Sequence, residues 1–182
     1  MLQTYTEAQM LQYWKRRLGL IAPAAAESAE EPSDLTELDR RLLDDIRAWY
    51  AQVLRTAPAD AVPVADLASE AVVLMCGEGM ACVRLPDRGT RLMELMLEGW
   101  EHPLRIFAAP GSDLARLQRY PWTRGTPDDP AAILMPGRLE IYGVPPGQPE
   151  IRELLMVAAP TEGFTLDPAL LRNAQLLVGA GN

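Results

Sequence analysis

Histidine and cysteine, the side chains most often recruited as metal ligands, proton carriers or nucleophiles, are scarce in this chain. The chain has one histidine, His102, which is followed by Pro103, and two cysteines, Cys76 and Cys82. The cysteines flank Gly77-Glu78-Gly79, which predicts a tight turn. They would face each other across a hairpin or lie as two small buried hydrophobes, and burial is the expected state. Structural zinc takes four ligands, which one histidine and two cysteines of a single hairpin cannot supply. Two pairs of adjacent aspartates, Asp44-Asp45 and Asp128-Asp129, could in principle serve a metal or acid–base chemistry. Neighbours on a helix point to different faces, so Asp44-Asp45 is expected on a solvated surface. Asp128-Asp129 precedes Pro130 and reads as turn chemistry. Gly77-Glu78-Gly79 lacks the third glycine and the following helix of a dinucleotide-binding loop. No Gly-x-Ser-x-Gly elbow occurs, and no Ser–His pair can be argued. Met93 and Met96 fall where a core is expected. The residues predict no catalytic site, no metal and no cofactor.

Charge narrows the partners. Lys plus Arg number 17 against 25 Asp plus Glu, a formal net charge of -8. Tight binding to a phosphate backbone comes from Lys and Arg displacing counterions, so an acidic chain is a poor nucleic-acid binder. Lys15-Arg16-Arg17 is the longest basic run. It reads as a helix end matched to the dipole, or as a docking site for an acidic partner. No apolar run has the length of a membrane span. Met1-Leu2-Gln3-Thr4 has no charged start followed by an apolar stretch, so no secretory signal is predicted. The expected compartment is a reducing cytoplasm. A hydrophobic content of 48% suffices for a packed core over 182 residues.

The elements that would carry these residues follow from periodicity. Residues 5–18 predict an amphipathic helix with Leu11, Trp14 and Leu18 on one face, capped by Thr4 with Glu7. Residues 20–33 are rich in Ala, Glu and Pro and read as a linker. A second helix is predicted over 35–55. Its stripe is Leu35, Leu38, Leu42, Ile46, Trp49 and Val53, and Asp34 with Glu37 forms its capping box. Leu43, Tyr50 and Leu54 widen that stripe. Glu37 and Arg41 make a favourable i,i+4 pair. Beyond Pro63 the pattern changes to short apolar runs: 71–75 and 80–85 around the glycine turn, then 133–135, 138–142 and 151–157. The stretch from Leu85 to Phe107 admits a short helix or a hairpin, and its bounding turns favour the hairpin, with Leu104, Ile106 and Phe107 returning. A long loop occupies 108–130, where Ser112 would cap a turn or two of helix. Asp167 and Pro168 start a last helix carrying Leu170, Leu171, Ala174, Leu177 and Val178 to Gly179.

The expected class is α+β: two N-terminal helices, a small antiparallel sheet or barrel-like middle, and one C-terminal helix. The segments are 1–62, 63–165 and 166–182, read as one structural domain.

The order of these motifs resembles that of tailed-bacteriophage head–tail adaptor (connector, neck) proteins. The likeness rests on Arg16-Arg17-Leu18-Gly19 ending the first helix and on Leu85-Pro86-Asp87 before a strand. It also rests on Gly99-Trp100-Glu101-His102-Pro103 in a hairpin, Pro121-Trp122-Thr123-Arg124-Gly125 in a loop, and the strand Leu139-Glu140-Ile141-Tyr142. The final helix stops at Gly179, where a longer one is expected, and residues 20–33 look like an insertion. The resemblance implies a non-enzymatic ring of identical subunits between portal and tail, with DNA as a loosely held passenger. It also implies assembly in the host cytoplasm and residence in the virion. The residues expected to meet other subunits or partners are Arg16, Arg17, Trp100, Trp122 and Arg124. A monomeric accessory module or assembly adaptor is the alternative, followed by a carboxylate-based enzyme.

Overall fold

The computed structural model describes residues 1–21, 36–147 and 149–174. The linker at 20–33, the Asp34 cap, Leu35, and Leu177 to Gly179 of the last helix therefore lie wholly or mostly outside the described residues. By contacts the chain divides into two compact units, one of Met1–Pro63 with Ala159–Asn182, the other of Val64–Ala158.

The first unit is built on two helices. α1 spans Glu7–Arg17 and α2 spans Glu37–Thr56. Both open with a capping box, Thr6 with Gln9 and Thr36 with Asp39. The expected Thr4–Glu7 box does not form, because Gln3–Tyr5 is strand β1 and pairs antiparallel with β9, Phe164–Leu166. A strand end holds the backbone extended up to Tyr5, so the helix can start only at the next hydroxyl-bearing residue. Ala57 and Pro58 end α2, since proline has no N–H to continue it.

The buried stripe of α2 is Leu42, Leu43, Ile46, Tyr50 and Leu54. Leu38, expected inside, is 54% exposed, and Trp49 is half-buried. Tyr50 shifts the stripe. Its ring meets Phe164 edge-on at 5.2 Å, its hydroxyl donates to the Thr165 carbonyl (2.9 Å), and it accepts the Thr165 N–H (3.0 Å). Ion pairs Lys15–Asp39 and Glu7–Arg47 link α1 and α2 towards opposite ends of α1. α4, Pro168–Asn173, starts at the predicted Asp167 cap, whose carboxylate accepts the Ala169 N–H.

The second unit contains two antiparallel sheets. One has the order β2-β8-β5, from Val64–Asp66, Ile151–Ala158 and Gly89–Leu97. The other has the order β3-β4-β7-β6, from Val72–Gly77, Met80–Arg84, Arg138–Tyr142 and Ala131–Met135. Leu95, Leu97, Leu154 and Met156 of the first share one apolar cluster with Ala81, Val83, Leu139 and Ile141 of the second. The middle is therefore two sheets around a common core and not a closed barrel. The 104–108 segment bridges their margins. Leu104 exchanges two backbone hydrogen bonds with Leu95 (2.8 and 2.9 Å), and Ala108 does so with β6 (2.8 and 2.9 Å).

Residues 89–97 are a strand, but the expected hairpin partner is reduced to that single bridge at Leu104. The main partner of β5 is β8. Three register shifts along the pair, at Gly89/Arg91, Leu92/Glu94 and Met96/Leu97, explain why the apolar alternation reads so poorly. Each bulge inserts a residue and resets which side chains face inward.

Candidate assembly surface

The loop after β5 forms a braced arm. Ala109 to Ser112 leads into α3, Asp113–Leu117, and then into a single 3-10 turn, Pro121–Thr123. Ser112 caps α3 by accepting the Ala115 N–H (3.3 Å). The organising residue is Gln118, a polar side chain only 3% exposed. Its Nε2 donates to the Leu114 carbonyl (3.2 Å), and its Oε1 accepts the Gly125 N–H (2.8 Å). Arg124 donates from Nε to the Gln118 carbonyl (3.0 Å). A buried amide with both ends satisfied fixes the loop around it.

The chain beyond the arm is tied to the sheet as closely. Thr126 and Asp129 exchange backbone hydrogen bonds (3.0 and 3.1 Å), and the Asp129 N–H also reaches the Thr126 hydroxyl. Asp128-Asp129 thus sits in a turn. At Gly143, with φ of 83°, an added Cβ would lie 2.2 Å from the Thr126 carbonyl oxygen. Only glycine allows the loop this near to the end of β7.

The outward side of the arm is apolar. On α3, Ala115 is buried while Leu114 and Leu117 are exposed. Tyr120 is 53% exposed and Trp122 81%, and their rings stack with centroids 5.5 Å apart. A five-residue helix with its alanine inward and its leucines outward reverses the usual burial preference. Four large apolar side chains on a hydrogen-bonded frame have the character of a contact patch, where rigid Trp and Tyr commonly carry binding energy.

The other expected contact residues divide. Trp100 is 4% exposed and donates its indole N–H to the Gly143 carbonyl (2.9 Å) within the core of the second unit. That is a correction: the Gly99–Trp100 turn folds the indole inward, where a large apolar ring with one satisfied donor is most stable. Arg17 is engaged within the first unit. It donates to the Leu171 carbonyl (2.6 Å) and the Tyr13 hydroxyl (3.1 Å), and lies 5.3 Å from the Trp14 ring centre. Lys15 is taken up by Asp39. Of the basic triplet, Arg16 alone lines an open depression, with Gln3, Tyr5, Gln9, Gln12 and Tyr13. Arg124 acts mainly as a brace, half-buried behind the exposed Trp122. Of the two tryptophans expected at a contact, the structure thus leaves only Trp122 on the surface. Leu114, Leu117 and Tyr120 join it without having been anticipated, because leucines at i,i+3 on a short helix read as inward-facing by default.

The cysteines also correct the expectation. Cys76 is exposed, Cys82 is half-buried, and the two are joined as a disulfide with Cα atoms 6.2 Å apart. Cys82 opposes Leu74 across the β3–β4 pair, which puts Cys76 on the same face as its diagonal neighbour.

Other chemistry is sparse. Among the described residues no three His, Cys, Asp or Glu side chains converge to hold a metal ion. His102 is exposed in its turn, and Asp44 pairs with Arg47 at 3.1 Å on the surface. The Leu85-Pro86-Asp87 turn borders a cleft of about 660 Å³ whose other walls include Leu92, Met135 and Met156, with Asp87 and Arg91 its ionisable members. No described helix is long and apolar enough to cross a membrane. Compared with family models, with curated proteins and with solved structures, the chain matches none.

Proposed function

We propose that this chain is a structural, non-enzymatic subunit that assembles with copies of itself into a ring. We further propose that the ring is a head–tail adaptor of a tailed phage or prophage particle. In that role it joins portal to tail or neck proteins in the virion and leaves a passage for DNA. The observation that carries self-assembly is the braced arm that presents the stacked pair Tyr120 and Trp122 to solvent. A water-facing indole on a frame this well hydrogen-bonded is best explained by a surface that covers it. The phage assignment rests on the order of sequence motifs. The net charge of -8 suits a channel past which DNA slides without adhering.

Light scattering after size exclusion tests the reading. Assemblies several times the 20.0 kDa subunit, seen as rings in negative stain, are expected. Trp122→Ala should shift the distribution to the monomer while the circular dichroism spectrum and melting temperature stay unchanged. A wild-type chain that remains monomeric at every concentration would exclude the ring. It would leave an accessory module whose arm takes a different protein.

A further inference from the structure

The arm's charge is opposite in sign to that of the molecule bearing it. Ser112 to Arg124 contains Asp113 against Arg116, Arg119 and Arg124, in a chain of net charge -8. Asp113 is paired with Arg116. Arg119 is exposed and pairs with no carboxylate among the described residues, so it stands beside Tyr120 as an uncompensated cation. The apolar patch therefore has a positive margin.

The opposite character gathers at one end of the β5–β8 pair in the same unit. The Leu97–Trp100 turn and the start of β8 are joined there, with the Glu98 N–H donating to the Glu150 carbonyl (2.9 Å). Glu98, Glu101 and Glu150 are exposed, and Glu153, opposite Met96, is half-buried. Arg152 is the single guanidinium in that stretch. None of these four carboxylates has an ion-pair partner among the described residues. Elsewhere in the unit exposed carboxylates do find one, as Glu70 does in Arg88.

We propose that the arm of one copy docks on this acidic end of the next. Tyr120 and Trp122 supply the buried contact, and Arg119 meets Glu98, Glu101 or Glu150. The inference rests on the self-assembly reading above and names its two surfaces. Because the patches differ, the contact is heterologous: each copy offers an arm to one neighbour and an acidic end to another, and repetition closes a ring or runs into a filament. Charge complementarity fixes which patch meets which and speeds encounter. The arm alone, meeting its own copy, would place like charges together.

Two variants test this, each confined to exposed side chains: Arg119→Glu on the arm, and the double change Glu98→Lys with Glu101→Lys on the acidic end. Each should weaken wild-type self-association by roughly tenfold or more, with an unchanged circular dichroism spectrum and melting temperature. Raising NaCl from about 0.1 M to about 1 M should weaken the wild-type assembly, because the screening length falls from ~10 to ~3 Å. The third arm combines both charge reversals in one chain, which restores opposite signs across the contact and should recover assembly. Assembly that survives both variants, or a combined chain no better than the singles, overturns the pairing while leaving self-assembly intact. A wild-type chain that never assembles removes the underlying reading instead.

Discussion

At the scale of single residues the most informative side chain is Asp39. It is 4% exposed, serves the Thr36 capping box and faces Lys15. Burial pushes its carboxyl up, but the hydrogen bonds from Lys15 and Thr36 together outweigh that and hold it below the usual carboxylate range. A depressed carboxyl stabilises the fold above its unfolded value, about 3.9. That contribution disappears as pH falls through the lower, folded value. Lys15→Met should therefore act in two ways. It leaves a buried carboxylate without its cation, costing about 2 kcal/mol at pH 7. It also lets the carboxyl rise, so the variant loses less stability on acidification than wild type does, and the gap between the two narrows as pH falls. Urea melts at pH 7 and pH 4 measure both effects. A variant as stable as wild type at both pH values would mean that the pair contributes nothing.

At the scale of elements, side chains hold the short pieces in place. β1 and β9 are three-residue strands, too short to persist alone. Tyr50 of α2 supports β9 by bonding both the N–H and the carbonyl of Thr165. Removing one hydroxyl orphans two backbone groups. Tyr50→Phe should cost about 1–3 kcal/mol in a chemical melt while keeping the ring contact with Phe164. Faster amide exchange in 164–166 should accompany it. Exchange unchanged there would show that the ribbon does not depend on this hydroxyl. The same logic gives α4 its anchor, since the Leu171 carbonyl accepts from both Tyr13 and Arg17.

At the scale of the whole molecule, the second unit interrupts the first. Its boundaries are neighbours in space, because Val64 of β2 pairs with Val157 of β8. A segment whose ends meet on adjacent strands can be inserted without straining its host. It has its own apolar cluster, including Leu95, Leu97, Leu139, Ile141 and Leu154. Residues 64–158 expressed alone should thus fold, with dispersed amide resonances and a cooperative thermal transition. A collapsed, non-cooperative fragment would show that the unit needs the rest of the chain.

Local chemistry was enough for much of this. Periods of three and four marked α2, Pro58 marked its end, Asp167 with Pro168 marked the start of α4, and alternation put Leu139 and Ile141 inside, where both are fully buried. Those features depend on neighbours within about one turn or one strand, so the residues alone specify them. Long-range pairing decided the rest. β1 and β9 are recognisable only once their partner lies some 160 residues away, and the three register shifts of β5 only against β8. Tyr50 turned the buried face of α2, and the turn at Gly99 carried Trp100 inward. Trp122 and Trp100 are the same residue type in similar Gly- and Pro-rich settings. One finds a carbonyl and a core within reach and the other does not, and that is a property of what the fold brings alongside them.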